Sequence, residues 1–208
     1  MTDDAKGGAA LILSAGAGLL TMLLHPMPHD IFGVADPHRA VTLGAYVHGL
    51  AIAATVLGFL GAIALYRRTD DAERLSLSAL VAFGFAAVAV TIAAAVSGFI
   101  AGPLALAREP TPRAVIQLAG LFNQAFAKID VVATSAAILL WSLAIWRGRT
   151  LSRALAAYGF VIAPVLGLLV IFGWLRLDVH GFGLVVILQG AWLATAGVLL
   201  LRRPLAAR

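Results

Sequence analysis

Five histidines and one isolated carboxylate, set among long apolar runs, are the residues of this chain that could do chemistry. His48 stands in YVHGLAIAATVLGFLGAIALYRR (Tyr46–Arg68) and His180 in DVHGFGLVVILQGAWLATAGVLLLRR (Asp178–Arg203). Both stretches read VHG, then an apolar run, then an arginine pair. His25 and His29 bracket the segment HPMPH, and His38 follows it. Asp130 is separated from Arg147 by sixteen uncharged residues. Ionisable groups at membrane depth face the bundle interior and mark function.

Neutral imidazoles with a carboxylate form a donor set for Zn, Fe or Cu. The candidate metal ligands are therefore His25, His29, His48, Asp130 and His180. Imidazole together with the thioether of Met27 leans towards copper. Two histidines on two helices also suit haem b, which makes His48 and His180 candidate cofactor ligands. Gly49 and Gly181 directly follow them and leave room for a macrocycle. The plainer readings are that boundary histidines cap helices or meet headgroups, and that Asp130 pairs with a Lys or Arg of a neighbouring helix.

The elements that must position these groups are membrane crossings. The chain is 62% hydrophobic and 12% charged, with mean hydropathy +0.98, whereas soluble domains run near 45–50% apolar and about 25% charged. The apolar residues come in long uncharged runs, and a crossing needs about 20 of them. Six crossings are expected: 7–24, 41–66, 77–106, 122–146, 152–175 and 179–201. The expected fold is an all-α integral membrane protein, a bundle of six transmembrane helices forming a single transmembrane domain.

Several local signals refine that outline. The first run is expected to be an uncleaved helix rather than a signal peptide, because MTDDAK carries two acids for one lysine and no A-x-A site follows. Ala94, Gly98 and Gly102 form a small-residue face for close helix approach, and Pro103 should bend or end that helix. The fourth helix could start at Pro112; about 50 Å would then exceed a ~30 Å hydrocarbon core, so it should either project or break near Gly120. Pro164 and Gly167 point to a kink in the fifth. The repeated VHG raises an internal duplication of a hairpin.

Orientation follows from the basic residues. Ten Lys and Arg fall on the side of the two termini and four on the other, with Lys128 left beside a helix. That bias places both termini in the cytoplasm and the protein as a multi-pass component of the inner (plasma) membrane. All five histidines then share the outer side. His48, Asp130 and His180 lie 19, 17 and 22 residues from their inner arginines, depths that agree within about 8 Å.

The chain contains no cysteine, which excludes disulfides, thiolate metal sites and cysteine nucleophiles. No G-x-S-x-G, H-E-x-x-H or Gly-rich phosphate loop is present. The net charge of +5 resides in loops, where it sets topology, so nucleic acid is not an expected partner. The lipid bilayer is. Three functions fit: binding of a transition metal or haem for redox chemistry or metal handling; a small-solute permease; or a non-catalytic subunit or assembly factor, as a homo-oligomer or with a partner membrane subunit. In the permease, Asn123, Gln124, Lys128, Asp130 and Gln189 would line the path. Gln189 discriminates. It lies about 13 Å deeper than His180, and a conduction path needs it on one aqueous face with Asp130, whereas a metal site does not.

Overall fold

A computed structural model describes residues 2–26, 37–69, 73–107, 112–148 and 150–202. Among these residues the chain is all-helical, with six helices long and apolar enough to cross a membrane. They are α1 (Asp3–Leu23), α2 (His38–Arg68), α3 (Glu73–Ala95, extended by a π-helical stretch Val96–Ala101 and a last turn Gly102–Ala105), α4 (Arg113–Gly148), α5 (Arg153–Ile171) and α6 (Val179–Arg202).

Their ends follow from capping chemistry. Thr2 accepts the Ala5 N–H at the start of α1, and Asp3 and Asp4 complement the helix dipole there. Arg67 and Arg68 close α2 at the opposite pole of its dipole. At the end of α2 the Leu65 and Tyr66 carbonyls accept the Thr69 backbone N–H and, in addition, the hydroxyls of Thr69 and Ser76. Arg68 also bonds Asp4 at 3.4 Å, tying α1 to α2. Ser152 accepts from Ala154 to start α5.

Two stretches depart from the expected bounds. α4 runs unbroken through Gly120 for 36 residues, about 54 Å. One glycine costs a helix only ~1 kcal/mol, too little to interrupt it; Val115, Leu118 and Leu121 near its start are exposed. α5 stops at Ile171 rather than running to Leu175, because Gly173 adopts φ 72°, the left-handed conformation that terminates helices. Pro164 lies inside α5 without ending it.

The helices close a ring in chain order. α1 packs on α2 and α6, α3 on α2 and α4, α4 on α5, and α5 on α6. Glycine sets the closest approach: a Cβ on Gly8 would meet the Gly197 carbonyl, and one on Gly197 the Gly8 carbonyl, each within 2.6 Å. Since Gly8 lies near the start of α1 and Gly197 near the end of α6, the start of α1 and the end of α6 lie at the same end, together with most of the described arginines. His25, His38, His48 and His180 mark the other end. The surface inverts the soluble pattern, with Leu13, Val56, Phe85, Val161 and Ile187 exposed, as a lipid solvent requires.

The arginine end is solid. Trp141 and Trp192 are fully buried and stacked, with ring centroids 6.3 Å apart and planes 16° apart. Trp192 Nε1 donates to the Leu155 carbonyl at 3.1 Å. Leu11, Leu65, Ile138, Ile145 and Leu200 fill the space around them. Towards the histidine end this packing gives way to a cavity.

Candidate functional site: a cavity in the histidine half of the bundle

The cavity encloses about 580 Å³ between α1, α2, α3, α4 and α6. Along α2 it extends from Val41 to Gly58, about 25 Å. Its floor includes Gly58, Phe83, Thr134 and Leu193; Phe83 and Leu193 also belong to the packed core beneath. At that depth the cavity closes on the packed arginine end.

Near the mouth two imidazoles meet. His48, 9% exposed, directs Nδ1 to the Gly44 carbonyl one turn back, at 2.6 Å. His25, just past the end of α1, directs Nδ1 to the Pro26 carbonyl at 2.9 Å. A carbonyl only accepts, so both Nδ1 atoms carry the hydrogen, and in the neutral rings both Nε2 atoms keep a lone pair. Burial lowers the His25 pKa from 6.5 more than the Pro26 carbonyl raises it, which keeps that ring neutral. The two ring centroids are 5.0 Å apart with planes at 73°.

The π-helical stretch of α3 holds His48 from behind. Gly98 lies against His48, and a Cβ there would stand 2.5 Å from His48 Cβ. The widened turn precedes Pro103, which has no N–H to give the carbonyl four residues back.

Deeper in, α4 and α6 supply the polar wall. Asp130 accepts from Thr134 Oγ1 at 3.3 Å and has no ion pair among the described residues. Lys128 is exposed and does not line the cavity. Gln189, 6% exposed, donates Nε2 to Ser135 Oγ at 3.1 Å and to the Val131 carbonyl at 3.3 Å. Gln124 donates Nε2 to the Leu177 carbonyl at 2.9 Å. With both Gln189 N–H groups and one of Gln124's so bonded, the two amide oxygens remain as acceptors. Asn123, Gln124, Asp130 and Gln189 all line this one cavity.

At the rim, Asp178 caps α6 by accepting the Gly181 N–H at 2.9 Å, which holds its carboxyl below the usual range. His180, in the first turn of α6, lines the rim but is exposed.

The cavity thus gathers four of the five candidate ligands, His25, His48, Asp130 and His180, but not as one coordination sphere. The close pair is His25 with His48. Among the described residues no group of three or more His, Cys, Asp or Glu is placed to hold a metal. His29 lies outside the described residues. Sequence reasoning missed the His25–His48 contact and the aromatic walls Phe83 and Phe182. Pro26, directly after His25, and Pro103, which loosens α3 opposite His48, were the available signals. No family model, curated protein or solved structure matches this chain.

Proposed function

We propose that this multi-pass membrane protein binds a small solute in the cavity and passes it across the membrane, as a permease does. The observation that carries this reading is that Asp130 of α4 and Gln189 of α6 line the same cavity, with Asn123 and Gln124 nearer the mouth. The volume lies within the ~300–1,000 Å³ range of small-molecule sites. An open half above a solid half is one of the two states alternating access requires. The Lys and Arg bias makes the arginine end cytoplasmic and the open end external, in the inner (plasma) membrane.

A thermal-shift panel of apolar, cationic, anionic and zwitterionic small solutes on the nanodisc-embedded protein tests this. At least one class should raise the melting temperature, and Ala127→Trp, which fills the cavity from α4, should abolish the rise. A panel in which no class stabilises the wild type contradicts the reading.

One observation favours a second reading, that a transition metal (Cu, Zn or Fe) or haem b binds at the mouth. His25 and His48 both have Nδ1 bonded to a carbonyl, the arrangement that orients ligating histidines. His25 and His48 would supply Nε2 donors, and the metal would supply Lewis-acid or redox chemistry. Metal analysis with an absorption spectrum tests it: His25→Ala and His48→Ala should each lose the metal or Soret band, whereas His180→Ala should retain it.

A further inference from the structure

The charges facing the cavity have the opposite sign to the charges of the chain. The sequence holds 15 Lys and Arg against 10 Asp and Glu. Yet among the described residues, no Lys or Arg lines the cavity, while two carboxylates do. Asp178 is at the rim and Asp130 is well inside, on a helix that crosses the membrane.

Asp130 is the group that most needs a partner. A carboxylate withdrawn from bulk water is strongly disfavoured unless paired and hydrogen-bonded. The contact it has is one donor, Thr134. Of the neighbouring amides, Gln189 has both N–H groups committed, to Ser135 and Val131, and Gln124 has one committed to Leu177. What Gln189 offers the cavity is its oxygen. Carboxylates, amide oxygens and the unprotonated Nε2 atoms of His25 and His48 are all electron-rich groups. The remaining wall is aliphatic, with the rings of Phe83 and Phe182; an aromatic face attracts a cation and accepts an apolar body equally well.

Resting on the cavity-binding reading above, we propose that the solute is an organic cation, an amine or quaternary ammonium group carried on a small apolar body, with Asp130 as its counter-ion. Asp178 raises the local concentration of cations at the mouth. The aliphatic and aromatic walls take the body, and the amide oxygens take any N–H of a primary or secondary amine. An anion would meet two carboxylates and no positive side chain. A neutral solute would offer Asp130 no counter-charge.

The test is a matched pair of probes that differ only in charge: benzyltrimethylammonium and neopentylbenzene, in which carbon replaces the nitrogen. Binding of each to the protein in nanodiscs is measured against empty nanodiscs, which removes partitioning into lipid. The wild type should prefer the cation by about tenfold or more, the scale of one partly desolvated charge contact. Asp130→Asn should bind the neutral probe as the wild type does and lose the preference; Asp130→Glu should keep it. Equal binding of both probes by the wild type overturns the inference while leaving a binding cavity in place. Binding of neither overturns both. Preference retained in Asp130→Asn overturns the role of Asp130. Should the asparagine variant fail to fold, the wild-type comparison and Asp130→Glu still decide.

Discussion

Replacing Gly98 with alanine adds one methyl group at the point where α3 presses on His48. The added Cβ would stand 2.5 Å from His48 Cβ and 2.9 Å from its Cγ, closer than non-bonded carbons approach. Either the π-helical stretch moves away or the imidazole turns, and turning it breaks the bond from Nδ1 to the Gly44 carbonyl. Overpacking of this kind costs about 1–3 kcal/mol, and the lost hydrogen bond adds about 1 kcal/mol. Exchanging glycine for alanine in a helix returns ~1 kcal/mol. The net expectation is destabilisation by about 1–3 kcal/mol. Gly120 provides the internal control, since a Cβ there meets nothing within 4 Å and Gly120→Ala should stabilise by up to ~1 kcal/mol. Unfolding of both variants by SDS titration from mild-detergent micelles measures the difference. Equal stability for Gly98→Ala and Gly120→Ala would refute the packing of α3 on His48.

Other consequences are open to measurement. Trp141→Ala removes half of the buried indole stack and should cost about 3–5 kcal/mol in the same titration. Gly173→Ala places a side chain at φ 72° and should cost about 1 kcal/mol, with Gly173→Val worse because of its branched Cβ. Acid should destabilise the protein through His25: its folded pKa lies below 6.5, so the unfolded chain takes the proton first. That contribution is fully present above 6.5 and is lost as the pH falls through the lowered value. Unfolding measured from pH 8 to pH 5 should show the loss, and His25→Gln should flatten it.

The crossings are legible in the chain because a bilayer demands about 20 apolar residues for each, a pattern that no local accident imitates six times. Where the expected bounds and the structure differ, a specific residue decides. Gly173 ends α5 four residues before the apolar run does, through a backbone angle rather than polarity. Gly120 leaves α4 intact because propensity is weak against the cooperative extension of a long helix.

The site was legible in part. Counting residues from the inner arginines places His48, Asp130 and His180 in one layer, and all three do line one cavity. Depth along an axis does not give contact across it. His180 occupies the exposed rim of α6, and the imidazole beside His48 is instead His25, which no helical register relates to it. That contact depends on the tight α1–α2 packing, set by glycines such as Gly7 and Gly61, and on the Pro26 carbonyl that holds the His25 ring. Such tertiary facts leave no periodicity in the sequence. Asp130 and Gln189 were separable by spacing but not placeable on a common wall until the ring of helices was known.

The natural absence of cysteine allows the central claim, a cavity open at one end only, to be read directly. Thr134→Cys on the floor and Gln189→Cys on the wall face the cavity, whereas Ala137→Cys lies in the packed core beneath. Each variant is treated in oriented membranes with a charged, membrane-impermeant thiol reagent applied from one side at a time. The account predicts labelling of Thr134→Cys and Gln189→Cys from the histidine side alone, with Ala137→Cys unreactive from both. Unreactive Thr134→Cys and Gln189→Cys, or labelling of them from the arginine side alone, would contradict it.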